Sequence, residues 1–410
     1  MLLLVTTRTY RAGAFLRAAE RLGLPVVVAT DQPLAWSQDQ TPGLLSLDFH
    51  NVESASSAIA AAAEPSFLSV LAAEDEGLLT AAAASTRLGL VHNSPDSVLV
   101  TRDKAQMRQR LDQANLPNPP HWVVPLEADP EEAASQVIFP CVVKPRSLSG
   151  SRGVIRADDP ASFVAAFRRT ARIIRLAGTS DPHGMGETLL VEGYIPGSEH
   201  ALEGLLTAGR METLALFDKP DPLEGPYFEE TLFVTPSRLS ATMQSQVGRT
   251  VGAAVGAIGL THGPLHAEVR VHAGQVWIVE IAARSIGGLC SRALRFEGGR
   301  SLEEILLAHA VGLPLPSLAL EPVATGVMMI PIPGSGVLRK VHGVQAARGV
   351  PGITDVVITL PAGGDMVALP EGASYLGFLF GEADTPLAVE TALRAAHRSL
   401  RVEYDAAPPV

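Results

Sequence analysis

The sequence predicts a multidomain protein in which an α/β domain is followed by α+β domains. Residues 2–98 alternate apolar strand-like runs with helical runs, and this alternation is typical of a parallel sheet. Residues 189–281 favour antiparallel strands, and residues 322–410 mix strands with a helix near the end. The chain has 410 residues, which is too long for one compact core, so several domains are expected.

The N-terminal segment supplies the elements of a parallel sheet. We predict strands over residues 2–5, 25–29 and 67–72, and helices over residues 12–22 and 76–88. No Gly-x-Gly-x-x-Gly motif follows the first strand, so the pattern does not indicate a dinucleotide-binding domain.

The rest of the chain is interpreted as three further units. The segment around residues 93–103 is predicted to turn, and a helix over residues 103–113 follows it. Helices over residues 243–258 and 386–400 interrupt the later strands, and the polar segment 178–187 is predicted to be a mobile loop. The predicted domains are an N-terminal α/β domain (1–98), a small lobe with an entering helix and a glycine loop (99–192), a large lobe (193–320) and a C-terminal α+β lobe (321–410).

Composition and charge exclude several classes of protein. The net charge of −11 argues against a nucleic-acid partner, which usually needs a basic patch. Two cysteines, Cys141 and Cys290, provide neither a disulfide framework nor a zinc site, and they fit a reducing compartment. The apolar start lacks a basic residue, and no run of about 18 apolar residues suggests a membrane span. We therefore expect a cytoplasmic protein without a membrane partner.

The scarcity of lysine draws attention to the few that are present. Of the 32 basic residues only four are lysines: Lys104, Lys144, Lys219 and Lys340. A compact ammonium group and a planar guanidinium are not interchangeable, so each lysine is a candidate for a site that needs the former. A general bias toward arginine explains the low count. It does not explain why Lys104 opens a helix and Lys144 ends an apolar strand.

A loop rich in serine and glycine follows Lys144. In the segment 147–153, Gly150 and Gly153 permit tight turns and close backbone approach to an anion. Successive N–H groups in such a loop can surround phosphate oxygens. The sequence lacks the Gly-Lys-Ser/Thr of a Walker loop, and an ordinary turn is the alternative interpretation.

Two glutamates, Glu268 and Glu280, lie on a predicted hairpin. If Val276 pairs with His272, the two carboxylates face each other across the strands. That register would place an apolar face on the opposite side, made of Val269, Val271, Trp277, Val279 and Ile281. Facing carboxylates need a cation between them, and carboxylate oxygens suit Mg²⁺. The alternative is a solvated strand face on which Arg270 forms surface ion pairs.

Two further segments have a functional and a structural interpretation. Arg284 precedes the pair Gly287 and Gly288, and a guanidinium there can bind a carboxylate or acyl phosphate through two hydrogen bonds. A structural ion pair is the alternative. The strand over residues 189–195 runs into a Gly/Pro turn flanked by Glu192 and Glu199, and in isolation it is only a strand end.

Taken in order, these motifs resemble those of the ATP-grasp superfamily, and the resemblance covers nearly the whole chain. It implies that the chain binds ATP together with Mg²⁺ (or Mn²⁺), and that the metal ligands are Glu268 and Glu280. The ATP contacts that the resemblance implies are Lys104, Lys144, the loop residues Ser149, Gly150, Ser151 and Gly153, the adenine-binding residues Glu192, Tyr194 and Ile195, and the ribose-binding Glu199.

Within the superfamily, the chain looks most similar to carboxylate–amine ligases of the L-amino-acid ligase type, on the basis of segments 93–95, 217–230, 263–268, 280–284 and 375–378. Many ATP-grasp enzymes have Asn two residues after the second metal Glu, where this chain has Ala282, and this departure argues against a close analogy with biotin carboxylases. For His266, the alternative to substrate binding is a packed, neutral histidine. For Lys219 and Glu230, the alternative is a plain surface loop. The substrate-binding residues that the resemblance implies are His266, Arg284, Ser285, Lys219 and Glu230.

The resemblance implies a two-step reaction on small-molecule carboxylate and amine substrates. The carboxylate attacks the γ-phosphate of ATP to give an acyl phosphate and ADP, and an amine then displaces phosphate. Lys144 would neutralise phosphates, while Arg284 and the amides of Gly287 and Gly288 would stabilise the acyl phosphate. A homodimer is expected because such ligases commonly form one. A different acceptor (bicarbonate, a ribosylamine or a thiol) and a non-catalytic ATP-binding module stay open.

Overall fold

The computed structural model describes residues 1–7, 9–32, 44–63, 66–178, 183–315 and 317–407. Part of the loop predicted over residues 178–187 lies outside the described residues. Among the described residues, no helix is long and apolar enough to cross a membrane.

The N-terminal domain contains the predicted parallel sheet. Its described strands are parallel and have the spatial order β3-β2-β1-β4. The strand and helix predicted over residues 2–5 and 12–22 are confirmed residue for residue, whereas β3 and α2 were not predicted. The elements are β1 (Leu2–Val5), α1 (Ala12–Leu22), β2 (Val27–Thr30), β3 (Leu44–Ser46), α2 (Val52–Ala61), β4 (Val70–Ala72) and α3 (Leu78–Leu88).

Two helices lead from this domain into the small lobe, α4 (Pro95–Arg102) and α5 (Lys104–Gln113). The turn predicted around residues 93–103 is therefore wrong. Ser94 caps α4 by accepting the Ser97 N–H, and Pro95 occupies the first turn, where a missing N–H costs nothing. The Ser-Pro pair thus begins a helix here, although the same pair also suits a turn.

The small lobe is an antiparallel sheet covered by a long helix. Its described strands have the order β5-β8-β6-β7, and α7 buries Phe163 and Phe167 against them. The strand that carries Lys144 lies next to the strand that ends at Gly193, where the Gly/Pro turn predicted between Glu192 and Glu199 begins; this turn is here called the hinge. The elements are β5 (His121–Pro125), α6 (Pro130–Ala134), β6 (Cys141–Pro145), β7 (Ile155–Ala157), α7 (Pro160–Ala177) and β8 (Thr188–Gly193).

The large lobe begins with antiparallel strands, as the sequence predicted. Helix α8 packs beneath them and ends at Gly259, whose left-handed backbone (φ 89°) closes the last turn. The elements are β9 (Ser198–Thr207), β10 (Arg210–Lys219), β11 (Leu232–Thr235), α8 (Ala241–Ile258), β12 (Gly263–His272), β13 (Gln275–Ala282), β14 (Arg295–Phe296), β15 (Arg300–Ser301) and α9 (Leu302–Ala310).

The C-terminal strands extend the same sheet. Strand β11 pairs with β16, so the described strands form a continuous antiparallel sheet of order β13-β12-β9-β10-β11-β16-β20-β18. Strands on both sides of the predicted boundary at residue 320 therefore belong to one sheet. The limits of the four domains stay predictions. The remaining elements are β16 (Ala324–Ile330), β17 (Gly336–His342), α10 (Val344–Arg348), β18 (Ile353–Ile358), β19 (Asp365–Met366), β20 (Gly377–Ala383), α11 (Pro386–Arg398) and β21 (Arg401–Ala406).

The β12–β13 hairpin has a different register from the one predicted. Val276 pairs with Val271 and not with His272, because the turn is one residue tighter. A bulge then shifts the register, so that Glu268 does lie opposite Glu280. Because of this shift Ile278, which the predicted register put on the glutamate face, is fully buried in the core. Trp277 and Val279, predicted on the apolar face, instead line a cleft.

Candidate active site

A cleft of about 800 Å³, part of which is open to solvent, separates the small lobe from the large lobe. Strand β6 and the loop after it form one wall, and strands β9, β12 and β13 form the other. Many of the residues singled out in the sequence line it. They are Lys104, Lys144, Ser149, Gly150, Ser151, Glu192, Tyr194, Ile195, Glu199, Glu230, Glu268 and Glu280. The other predicted site residues lie outside this lining: Gly153, Lys219, His266, Arg284, Ser285, Gly287 and Gly288.

One group of charges, here called the lysine cluster, consists of Lys104, Arg108, Lys144, Glu192 and Glu280. Lys144 Nζ lies 2.7 Å from Glu192 Oε2, and Arg108 Nε donates to the other oxygen at 2.6 Å. Although burial opposes ionisation, these two cations lower the pKa of Glu192 to about 2. Lys104 Nζ lies 3.3 Å from Glu280 Oε1 and donates to the Leu148 carbonyl at 2.9 Å. The cluster therefore brings three cations to two carboxylates.

A second group, the carboxylate cluster, consists of Lys219, Glu199, Glu230 and Glu268. One oxygen of each glutamate lies within 4.8 Å of the others. Lys219 Nζ sits among them, 2.5 Å from Glu199 Oε1 and 3.4 Å from Glu268 Oε1, and it also contacts Glu230. Lys219 is 5% exposed, so the alternative that it lies on a plain surface loop is wrong.

The ionisation of the carboxylate cluster is uneven. Burial, and then the charge of Glu268, raise the pKa of Glu230 to about 8. Burial also opposes ionisation of Glu268, but Lys219 and His266 hold its pKa well below the ordinary value. Glu199 attracts Lys219 most strongly, and the three carboxylates together raise the pKa of that lysine in spite of its burial. The ammonium group of Lys219 thus contacts all three carboxylates of this cluster.

His266 lies beside the carboxylate cluster as a charged group. Its Nδ1 is bonded to Glu203, and its Nε2 lies 3.5 Å from Glu268 Oε1. Although burial disfavours the imidazolium, Glu203 raises the pKa of His266 to about 9. His266 is packed, as the alternative from the sequence had it, but its acidic neighbours Glu203 and Glu268 favour the charged form over the neutral one. Glu203 also accepts the Ile286 N–H at 3.0 Å, which links His266 to the segment after Arg284.

The glycine loop is held by a segment of the C-terminal lobe. Gly150, Ser151 and Gly153 all have left-handed backbones, with φ of 62°, 56° and 73°. The Gly153 N–H donates to the Pro370 carbonyl at 2.8 Å, and Arg152 Nε donates to the Glu371 carbonyl at 3.0 Å. The amide of Gly153 is therefore engaged by the protein, whereas Ser149, Gly150 and Ser151 face the cleft.

Arg270 contacts several residues at the hinge end of the cleft, whereas its sequence context suggested only a surface ion pair. Its Nη1 donates to the Ile195 carbonyl at 2.7 Å, and its Nε donates to Glu199 Oε2 at 2.9 Å. Its guanidinium lies 5.1 Å from the ring centre of Tyr194. Arg270 lies two residues after Glu268, and this period-2 spacing is the sequence signal that places both on one strand face.

The segment after β13 lies against the N-terminal domain. Arg284 Nη2 is 2.8 Å from Asp75 Oδ2, and Arg284 Nη1 donates to the Ser285 carbonyl at 3.0 Å. The Ser285 hydroxyl accepts a hydrogen bond from Arg11 at 2.7 Å. Asp75 raises the pKa of Arg284 despite burial, so this guanidinium stays charged. Gly288 has a left-handed backbone (φ 62°), and a Cβ there would lie 3.0 Å from the ring of Phe378, so a larger side chain would be strained and crowded.

Glu268 lies opposite Glu280 in the strand ladder, and it is also one of three glutamates, with Glu199 and Glu230, whose oxygens lie within 4.8 Å of one another. Directly opposed carboxylates repel each other, and here a lysine partner on each side, Lys219 and Lys104, compensates for that repulsion. Carboxylate oxygens are the ligands that Mg²⁺ and Mn²⁺ prefer. Glu199 and Glu230 add further oxygens on the Glu268 side.

Two protein families match the sequence. The ATP-grasp domain matches residues 137–293, and the L-amino acid ligase C-terminal domain 2 matches residues 328–405. The first range contains Lys144, the glycine loop and both facing glutamates. The second lies wholly within the C-terminal lobe.

Curated relatives match parts of the chain. Carnosine synthase 1 from Gallus gallus is 29% identical over 255 residues, which is 59% of this chain and 27% of the relative. A D-alanine--D-alanine ligase from Ectopseudomonas mendocina (strain ymp) is 27% identical over 232 residues, which is 55% of this chain and 65% of the relative. The matches thus span less than two thirds of either relative.

A solved structure matches almost the whole chain. The L-amino acid ligase from Bacillus licheniformis superposes with a TM-score of 0.81 and 22% identity, over 98% of both chains. The phosphoribosylglycinamide synthetase from Anaerococcus prevotii also superposes, with a TM-score of 0.68 and 15% identity. The fold is thus that of an ATP-grasp protein from the N-terminal sheet to the C-terminal lobe. The chain thus matches an ATP-grasp domain and an L-amino acid ligase C-terminal domain, and its relatives include carboxylate–amine ligases.

Proposed function

We propose that this protein is an ATP-dependent, ADP-forming ligase that joins the carboxylate of an amino-acid-like substrate to an amine. The observation that carries the proposal is the convergence of Lys104, Lys144, Glu268 and Glu280 on one cleft, although they are up to 176 residues apart in the chain. A cleft with cations on one side and carboxylates on the other can hold a polyphosphate together with a divalent cation.

ATP is proposed to lie along the cleft from the hinge to the lysine cluster. Its adenine would lie against the hinge residues Tyr194 and Ile195, and Glu199 would bind the ribose. Lys104 and Lys144 would contact the phosphates, beneath the loop that carries Ser149, Gly150 and Ser151. Glu268 and Glu280 would hold Mg²⁺ or Mn²⁺, which supplies charge neutralisation at the phosphate oxygens.

The two chemical steps follow from the weak electrophilicity of a carboxylate. A carboxylate oxygen attacks the γ-phosphorus, the bond to the β,γ-bridging oxygen breaks, and ADP leaves. The amine nitrogen then attacks the acyl carbon, and inorganic phosphate leaves as the amine loses a proton. Arg284 and the amides of Gly287 and Gly288 are proposed to stabilise the negative charge that both steps develop. In the structure Arg284 is paired with Asp75, so this role requires that it exchange or share that partner.

The substrates are proposed to bind where the carboxylate cluster meets the segment after β13. The residues on that side include cationic and anionic groups, which can pair with the carboxylate and the ammonium group of an amino acid. They are His266, Lys219, Glu230 and Ser285. The relatives include D-alanine--D-alanine ligase and alanine--anticapsin ligase, whose names state that they join alanine, and carnosine synthase, whose name states its product. We also propose that the protein acts in the cytoplasm, as a homodimer.

The test is ADP release from Mg-ATP with single amino acids, pairs of amino acids and bicarbonate, with products identified by mass spectrometry. We expect turnover with a pair and a product mass equal to the sum of both minus water. The control is Glu280→Gln, which should bind ATP and release at least tenfold less ADP. Turnover with bicarbonate alone would assign another acceptor. ATP binding without any substrate-dependent ADP would contradict the ligase function.

A further inference from the structure

Strand β13 carries one extra residue between its two paired halves. Val269 pairs with Ile278, but Glu268 pairs with Glu280, so Val279 is the residue without a partner in the ladder. Before the bulge, Val276 and Ile278 point into the core, where they are 1% and 0% exposed. Strict alternation would send Glu280 to the same buried side. The extra residue reverses that alternation and brings Glu280 to the cleft.

Arg108 holds the backbone on this bulge. It is fully buried on α5, and its guanidinium donates to the Ile278 carbonyl at 3.1 Å and to the Val279 carbonyl at 2.5 Å. A bulge disrupts the ladder locally, so buried carbonyls there need another donor. A guanidinium suits this task because its N–H groups point in fixed directions and can serve two adjacent carbonyls at once.

The same guanidinium also donates a hydrogen bond within the lysine cluster. Its Nε donates to Glu192 Oε1 at 2.6 Å, and the other oxygen of Glu192 is bound by Lys144. A buried arginine is costly unless its charge is compensated, and Glu192 supplies that compensation. One side chain therefore connects the strand that bears Glu280 with the carboxylate that positions Lys144.

We infer that Arg108 is a positioning residue whose hold on the bulge at Val279 sets the Glu280 carboxylate opposite Glu268. The inference rests on the proposed function, in which those two glutamates bind a divalent cation. Arg108 does not line the cleft and acts only through the backbone and Glu192. Partners of this kind around a metal ligand typically change metal affinity by roughly 10- to 100-fold.

The experiment measures Mn²⁺ binding in the presence of ADP by electron paramagnetic resonance, which requires no turnover. In Arg108→Lys the ammonium keeps the charge beside Glu192 but cannot serve both bulge carbonyls. We expect its Mn²⁺ dissociation constant to rise by roughly 10- to 100-fold while its circular dichroism spectrum stays that of the wild type. Arg110→Lys, the same change at an exposed position on the same helix, should leave Mn²⁺ binding unchanged.

The outcomes separate this inference from the proposed function. Wild-type Mn²⁺ affinity in a folded Arg108→Lys protein would overturn the positioning role. Wild-type affinity in Glu280→Gln would instead show that Glu280 is not a metal ligand, whatever Arg108 does. If Arg108→Lys does not fold, Arg108→Gln replaces it with the same expected result. Loss of the fold in both variants would assign Arg108 a structural role only and would also overturn the inference.

Discussion

The lysine cluster and the carboxylate cluster lie at the same cleft, but cations outnumber carboxylates among the members of the first and carboxylates outnumber cations among the members of the second. In the first, Lys104, Lys144 and Arg108 share two carboxylates, and the pKa of Glu192 falls to about 2. In the second, Lys219 serves three carboxylates, and burial together with Glu268 raises the pKa of Glu230 to about 8. The number of cationic partners, more than burial alone, therefore decides whether a buried glutamate is charged.

This difference suits two kinds of ligand. An excess of cations attracts the phosphates of a nucleotide, whereas an excess of carboxylates attracts a metal ion or an ammonium group. Glu268 and Glu280 lie where the two clusters meet. Glu268 is contacted by Lys219 of the carboxylate cluster, and Glu280 is contacted by Lys104 of the lysine cluster. A ligand that carries phosphates and a divalent cation would satisfy both clusters at once.

The largest effect is expected from breaking the lysine cluster with Lys144→Met. The change removes a buried ammonium beside the proposed phosphate position and leaves Glu192 to Arg108 alone. We expect ADP release per enzyme to fall by about 100- to 1,000-fold, because a buried charge aimed at developing negative charge contributes that much. Steady-state ADP release at saturating substrate measures it.

The matched control for this variant is Lys340→Met. Lys340 is exposed on β17, far along the chain from the cleft residues, and it should keep wild-type turnover. Equal activity of both variants would show that the ammonium of Lys144 has no role in the reaction.

Breaking the carboxylate cluster with Lys219→Met should affect stability. Three carboxylates would be left buried without their ammonium, and removing one partner of a buried charge group typically costs roughly 3–5 kcal/mol of unfolding free energy. Urea unfolding followed by circular dichroism measures the loss. Added Mn²⁺ should restore part of it, since a cation that binds only the folded cluster stabilises that state. If Mn²⁺ has no more effect on this variant than on the wild type, the cluster does not bind metal.

The sequence singled out every member of the carboxylate cluster and every member of the lysine cluster except Arg108. Lys104 and Lys144 stand out because lysine is scarce here and because each follows a recognisable element boundary. Arg108 stands in the middle of a helix among other arginines, and no local pattern marks it as buried. Its partners, the carbonyls of Ile278 and Val279, are 170 and 171 residues away, so only the fold reveals the contact.

The hairpin shows why a correct pair can come from an incorrect register. Pairing Val276 with His272 and pairing it with Val271 both give a plausible turn and a plausible apolar face. The chain combines the second pairing with a bulge, and the two shifts together restore Glu268 opposite Glu280. A bulge leaves no composition signal in this strand, because the extra residue is an ordinary valine. The bulge becomes visible only in three dimensions, where Ile278 is buried in the core and the neighbouring Trp277 is half-buried at the cleft.

The smallest effect is expected where the C-terminal lobe holds the glycine loop. Glu371 accepts two hydrogen bonds from Arg169, at 2.7 and 2.9 Å, and its carbonyl accepts one from Arg152 in the loop. Glu371→Gln weakens a half-exposed ion pair, so we expect the KM for ATP to rise by roughly two- to fivefold with kcat unchanged. Glu403→Gln, at an exposed ion pair elsewhere in the lobe, should change neither constant.

Because the loop also anchors Lys104 through the Leu148 carbonyl, the effect should stay within the lysine cluster and leave Mn²⁺ binding unaltered. A Glu371→Gln variant that loses Mn²⁺ affinity as strongly as ATP affinity would show that the two clusters respond as one.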